Sequence, residues 1–206
     1  MEILLINPPQ IPLQDFNILT ALRKGYPAYP PMGLGYLTAS LKEHGRTDIE
    51  LYDCHLEGML KIMNKDVDHA GIFMELLEEK LKSTPDVKVI GLTIMFSSLF
   101  DNVGNCLKMI RDIHPKATIV VGGVHATMAT KSLYKFSEID YILSYEGEFT
   151  FPQLLDYILD GKGDKESIQG LHYRVDGEYV GNAGANITGK RTSLNGLVWA
   201  DWKAMR

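Results

Sequence analysis

The 206-residue sequence holds only two cysteines, Cys54 and Cys106. Two thiols cannot build a disulfide framework, a four-thiolate zinc site or a self-contained iron–sulfur cluster. No apolar run reaches the length of a membrane-crossing helix. Positive charge is scarce as well: 21 Lys and Arg stand against 26 Asp and Glu, a net charge of −5. With no basic stripe to neutralise phosphates, a nucleic-acid partner is not expected. Residues 1–6 carry neither a basic leader nor a small-residue cleavage site, so the expected compartment is the cytosol. Also absent are a glycine-rich dinucleotide loop and a phosphate loop ending in Lys-Ser/Thr.

What is present is alternation. Short apolar runs at 3–6, 49–52, 87–95, 117–121 and 141–144 read as buried strands. Between and after them, periodic apolar positions predict helices over 32–44, 69–83, 100–113, 130–136 and 149–160. Residues 10–31, rich in prolines and aromatics, read mostly as an ordered loop, and the stretch after Tyr52 as a loop. Pro152 is tolerable only in a first helical turn. Five rounds of strand then helix predict an α/β fold, a flavodoxin-like, Rossmann-type parallel sheet of five strands in the order 2-1-3-4-5. Residues 170–180 hold two short strand runs around Asp176-Gly177, a strong hairpin signal. The expected division is therefore an α/β domain over 1–165 and a hairpin with linker and tail over 166–206. Beyond Gly181 the chain is rich in Gly, Asn, Ser and Thr, and is expected to pack poorly. Trp199 and Trp202 in that polar tail either meet a partner or fold back onto the domain.

Open parallel sheets bind ligands beyond the carboxyl ends of their strands, where strand order reverses. Here those ends read Asn7-Pro8-Pro9, then Thr93 with Ser97-Ser98-Leu99, then Gly122-Gly123-Val124-His125-Ala126-Thr127, then Glu146-Gly147-Glu148. Paired glycines admit a ligand close to the backbone and allow φ > 0, but also suit a plain turn. The serine hydroxyls suit a buried polar ligand, or a helix cap. His125 is expected to face the ligand slot, or to cap the next helix.

In order, these segments resemble the N-terminal cobalamin-binding domain of cobalamin-dependent radical-SAM proteins. Residues 3–9, the run Tyr29-Pro30-Pro31-Met32-Gly33-Leu34-Gly35-Tyr36-Leu37, residues 120–127, residues 140–148 and the hairpin start at 169–174 carry the likeness. The resemblance implies a cobalamin cofactor whose nucleotide tail threads between the first and third strands. Ser97, Ser98, Leu99, Gly122 and Gly123 would line that slot, with Asn7, Pro8, Pro9, Thr93, Val124, His125 and Ala126 nearby. Met32, Gly33, Leu34 and Gly35 would edge the site, and Gly147 and its neighbours would lie near the far end of the tail; Asp53, Glu146 and Glu148, at strand ends, would meet corrin amides or solvate loops. The implied partner is a radical-SAM domain or protein, in a methyltransferase- or cyclase-type system. The Cys-x3-Cys-x2-Cys motif of those enzymes is missing, so no iron–sulfur cluster and no catalysis are expected from this chain alone.

Methionine-synthase-type domains ligate cobalt through Asp-x-His-x-x-Gly, and Asp53-Cys54-His55-Leu56-Glu57-Gly58 matches by letter. That motif belongs after the first strand, whereas this match follows the second, so it reads as coincidence. His55 is nonetheless the one candidate cobalt ligand. Two other readings stand beside cobalamin. One is a flavin or other nucleotide on the same fold, which would want a phosphate loop after the first strand. The other is a small metal site at Asp53, His55 and Glu57, reachable only if those residues lie in a loop.

Overall fold

The computed structural model describes residues 1–183 and 198–205. Seven strands form one sheet in the order β2-β1-β3-β4-β5-β6-β7. The strands are β1 (Ile3–Asn7), β2 (Ile49–Asp53), β3 (Val89–Thr93), β4 (Thr118–Gly122), β5 (Tyr141–Leu143), β6 (Leu171–Val175) and β7 (Glu178–Gly181). The first five are parallel in the order read from the sequence, and β6 pairs antiparallel with β5. The hairpin thus extends the same sheet. Its turn places Asp176 at φ 52° and Gly177 at φ 89°, the two left-handed residues that a tight primed turn demands.

The helices are α1 (Ile18–Leu22), α2 (Met32–Glu43), α3 (Cys54–Met63), α4 (Ile72–Lys82), α5 (Phe100–Ile113), α6 (Val124–Met128) and α7 (Gly147–Asp160). Strand alternation divides the core. Leu4, Ile6, Ile90, Leu92, Ile119 and Val121 point to one face, covered by α3, α4 and α5. Ile3, Leu5, Val89 and Val120 point to the other, covered by α2 and α7. The core sits on both faces because each crossover helix must bury its apolar stripe against the sheet.

Three expectations need correction. The stretch after Tyr52 is not a loop but helix α3: the Asp53 side chain caps it by accepting from the Leu56 N–H at 3.1 Å. Residues 130–136 form a 3-10 turn over Thr130–Lys135, entered through the short α6. Helix α7 begins at Gly147, two residues early, so Pro152 lies in its second turn. Proline has no N–H for the Glu148 carbonyl four residues back. Ser40 of α2 fills the gap, its Oγ donating to that carbonyl at 2.7 Å. Of the tail, residues 184–197 lie outside the described residues. The segment beyond them packs on α2: Asp201 N–H donates to the Gly35 carbonyl at 3.0 Å, and Lys42 Nζ meets Asp201 at 2.5 Å. Ala200 and Met205 are buried there, while Trp199 and Trp202 stay 86% and 55% exposed. The backbone folds back and the indoles do not.

Candidate functional site

At the carboxyl edge of the sheet, between α2 and α7, lies a cleft of about 320 Å³. Its floor is Leu5, Gly91, Val120 and Leu143, one residue from each of four strands on the α2/α7 face. Its walls are Gly33, Leu34 and Leu37 of α2, and Gly147, Glu148 and Phe151 of α7. Gly91 matters most for its shape. A Cβ on it would stand 2.8 Å from Leu5 Cδ2, closer than packed carbons tolerate. An isolated glycine inside an apolar strand signals close backbone approach. Position 91 carries that signal, within a run whose apolar neighbours otherwise read as a plain buried strand.

Of the residues expected to bind a ligand, Gly33, Thr93, Gly122, Gly123, Val124, Glu146, Gly147 and Glu148 line the cleft. Leu34 and Thr127, in segments expected at the site, line it as well, and so do Leu37, Gly91, Met95 and Tyr145, which the strand-end reading does not reach. The two paired glycines do different things. Gly122 borders open space, its nearest foreign atom the Leu143 carbonyl at 3.7 Å from a built Cβ. Gly123 sits at φ 100°, where a Cβ would meet the Ile94 carbonyl at 2.7 Å, so glycine there is a backbone requirement. A similar division holds on α2. Gly33 faces the cleft with nothing within 4 Å of a built Cβ, whereas Gly35 receives the Met205 side chain.

The remaining expected residues are placed elsewhere. Asn7, Pro8 and Pro9 are buried at the end of β1, and Asn7 Nδ2 donates to Asp53 Oδ1 at 2.8 Å. Met32 opens α2 and packs partly into the core beneath it. Ser97 and Ser98 are exposed on a 3-10 turn, Leu99 is buried below them, and Ala126 is buried in α6. His125 is buried with both ring nitrogens taken, Nδ1 by Ser97 Oγ at 2.8 Å and Nε2 by Ser132 Oγ at 2.9 Å.

His55 is buried in the first turn of α3, its ring stacked 5.9 Å from that of Phe73 in α4. Its Nδ1 accepts the Gln10 N–H at 3.2 Å, and Nε2 faces the Pro27 carbonyl at 3.4 Å. Burial holds its pKa below the usual imidazole value, so the ring is neutral and internally satisfied. Burial likewise pushes the Asp53 carboxyl up. With Asp53 a helix cap, His55 buried and Glu57 exposed on α3, those three cannot converge on one ion. Among the described residues no group of three His, Cys, Asp or Glu could hold a metal. None of the six histidines lines the cleft.

Exposed apolar side chains of Met95, Val124 and Tyr145 line the cleft, and Phe96, Met128 and Phe149 on the same strand-end segments are exposed too, an apolar fringe. All belong to segments leaving the carboxyl ends of β3, β4 and β5. Exposed apolar side chains gathered on strand-end segments suit an interaction surface. Among the described residues, no helix is long and apolar enough to cross a membrane.

Comparison with known proteins agrees with this geometry. The family model for the B12 binding domain matches residues 19–155. The chain is 28% identical over 149 residues to cytidylyl-2-hydroxyethylphosphonate methyltransferase of Streptomyces wedmorensis, covering 70% of this chain and 27% of that one. It is 30% identical over 162 residues to the anaerobic magnesium-protoporphyrin IX monomethyl ester cyclase of Cereibacter sphaeroides, covering 77% and 24%. Among solved structures it resembles the radical S-adenosylmethionine methyltransferase TsrM of Kitasatospora setae, solved with cobalamin and a [4Fe-4S] cluster bound. The TM-score is 0.66 at 20% identity, over 90% of this chain and 29% of that chain. The cobalamin-dependent S-adenosylmethionine radical enzyme OxsB, with aqua-cobalamin and S-adenosylmethionine bound, gives a TM-score of 0.62 at 18% identity, over 92% and 23%. The chain spans about a quarter of the length of these relatives. With the family model covering more than half of the sequence, the chain belongs to the B12-binding domain family, and its cofactor is cobalamin.

Proposed function

We propose that this chain is the corrinoid-holding module of a radical-SAM methyltransferase- or cyclase-type system, working in the cytoplasm. The observation that carries the reading is the cleft with Gly91 as its floor. Its volume of about 320 Å³ lies at the low end of small-molecule pockets, roughly 300–1,000 Å³. That is room for a nucleotide-sized arm and not for a corrin ring. The ring is left outside, against the apolar fringe at the carboxyl edge. The residues present therefore fit the cofactor in two parts, arm in the cleft and ring on the edge.

Each part has named holders. Gly91 and Gly122 leave space where side chains would stand, and Leu34, Leu37 and Phe151 wall the arm with apolar surface. The first turn of α2 has no acidic residue and no side-chain cap, which suits a nearby phosphodiester. Met95, Val124 and Tyr145 link the cleft to the edge and would bear on the ring. Bound cobalamin supplies the cobalt chemistry of group transfer or radical rearrangement. The chain's residues position the ring and exclude water from the arm. No histidine of this chain would reach the lower face of cobalt. The exposed Trp199 and Trp202 would offer surface to the partner domain. Cys54 and Cys106 are both free and buried, as suits a reducing compartment.

The test is direct. Purified protein is mixed with hydroxocobalamin, desalted, and its visible spectrum recorded beside that of a His55→Ala variant. Retention of about one equivalent, with the same spectrum in both, is expected. Folded protein that retains no colour would overturn the reading. A spectral shift in the variant would put His55 on cobalt.

A further inference from the structure

His125 is the most tightly specified polar side chain near the carboxyl edge, and the cofactor reading above gives it no role. Its hydrogen bonds form a chain with one possible direction. The Ser132 hydroxyl donates to the Ala129 carbonyl at 2.7 Å. A hydroxyl has one proton, so toward His125 that oxygen can only accept. Nε2 therefore carries the imidazole proton and donates it across 2.9 Å. In the neutral ring Nδ1 is then the acceptor, and the Ser97 hydroxyl donates to it across 2.8 Å. The neutral form is the one this setting favours: the ring is buried, burial lowers its pKa, and it packs 5.5 Å from the Phe100 ring, over which Lys135 Nζ sits at 4.1 Å. No carboxylate appears among these partners.

Ser97 itself is exposed at the carboxyl edge, next to Phe96 and two residues after Met95, which lines the cleft. Its proton is committed inward. What it shows outward is a pair of acceptor lone pairs. We infer that His125, acting through Ser97, is a positioning residue that makes this edge selective for hydrogen-bond donors on the corrinoid, the carboxamide N–H groups of the ring periphery, over carboxylate or ester oxygens. An ester or carboxylate at the same place would set acceptor against acceptor and leave both unpaired. The inference rests on the cobalamin reading of the edge and names what part of the ligand the edge selects.

Two nucleotide-free corrinoids separate this from other roles. Cobinamide carries peripheral carboxamides, and cobyrinic acid heptamethyl ester carries methyl esters in their place. Affinities of the full chain for both, and for hydroxocobalamin, are measured by visible absorbance. The wild type is expected to favour cobinamide over the ester. Ser97→Ala and His125→Ala should each shrink that preference about threefold to tenfold, the worth of one hydrogen bond. His125→Asn should recover much of it, because its Oδ1 can accept from Ser97. Parallel weakening of both corrinoids, with the ratio unchanged, would mean a structural role only and would overturn the inference. So would a Ser97→Ala effect confined to hydroxocobalamin, which would place Ser97 against the nucleotide base, or a wild type that binds hydroxocobalamin but not cobinamide. Failure of the wild type to hold hydroxocobalamin would instead remove the cofactor reading beneath the inference, and is seen separately in the same titration.

Discussion

At position 91 a single missing side chain decides the shape of the site. Valine there would drive its Cβ into Leu5 Cδ2, 2.8 Å away, and its γ-methyls into the cleft. The strand can relax around the added carbons at about 1–3 kcal/mol, so the domain should still fold. The arm's space should not survive. Gly91→Val is expected to weaken hydroxocobalamin retention by about tenfold or more, each tenfold being about 1.4 kcal/mol, with the far-ultraviolet spectrum unchanged. Full retention by the variant would show that the arm does not use this floor. Histidines make a second residue-scale argument. His55, His125 and His172 are all held below the ordinary imidazole pKa by burial. A depressed folded-state pKa means the unfolded chain takes up the proton first. Their stabilisation is thus complete above the unfolded value of 6.5 and is lost as pH falls below it. Asp53, raised by burial, works in the opposite sense at lower pH. Urea midpoints should decline between about pH 7.5 and 5.5, the window of neutral-to-charged histidine. A flat profile would contradict the burial assignment.

Helices α2 and α7 are the walls of the cleft, and two latches fix their spacing. At one end Ser40 donates to the Glu148 carbonyl that Pro152 leaves unpaired. At the other, Arg46 bridges Asp156 and Asp160, both at 2.7 Å. The Ser40 latch exists because of the proline, which makes a sharp test possible. Ser40→Ala should cost about 0.5–1.5 kcal/mol, the worth of one hydrogen bond to a partly buried carbonyl. With Pro152→Ala in the background the restored N–H can serve Glu148, and the same serine substitution should cost much less. A double-mutant cycle from urea unfolding reads the coupling; equal costs in both backgrounds would show that the two residues are independent. The parallel order and the hairpin were legible in the sequence, because β1, β3 and β4 are uninterrupted apolar runs and Asp176-Gly177 permits one kind of turn. Helix α3 was not. Its first turn holds His55, a buried polar residue that interrupts the apolar pattern, and its cap Asp53 doubles as the first letter of a metal-like motif. The latch was invisible too, since nothing local says that a serine over a hundred residues away will meet the Glu148 carbonyl. The close approach at Gly91 is legible in its strand; the packing of Gly35 is not, because its partner Met205 comes from the far end of the chain.

For the whole molecule, both halves of the site are made by long-range order: strands distant in sequence supply the floor, and the fringe gathers residues from the ends of β3, β4 and β5. Such a site forms only in the native state, so its ligand should stabilise the fold by mass action. At a free cobalamin concentration of about one hundred times Kd, linkage contributes about 2.7 kcal/mol. For a domain of this size each kcal/mol moves the midpoint by about 2–4 °C, which gives an expected rise in Tm of roughly 5–10 °C. The same experiment on Gly91→Val should show a small rise or none, although its unliganded Tm is only modestly lowered. The His55→Ala protein should show the full rise on its own lower baseline, since His55 is buried in α3 and away from the cleft. If Gly91→Val gained as much as the wild type, the binding energy would have to come from the exposed edge alone, where Phe96 and Met128 lie. The cleft would then be a packing defect rather than a place for the arm.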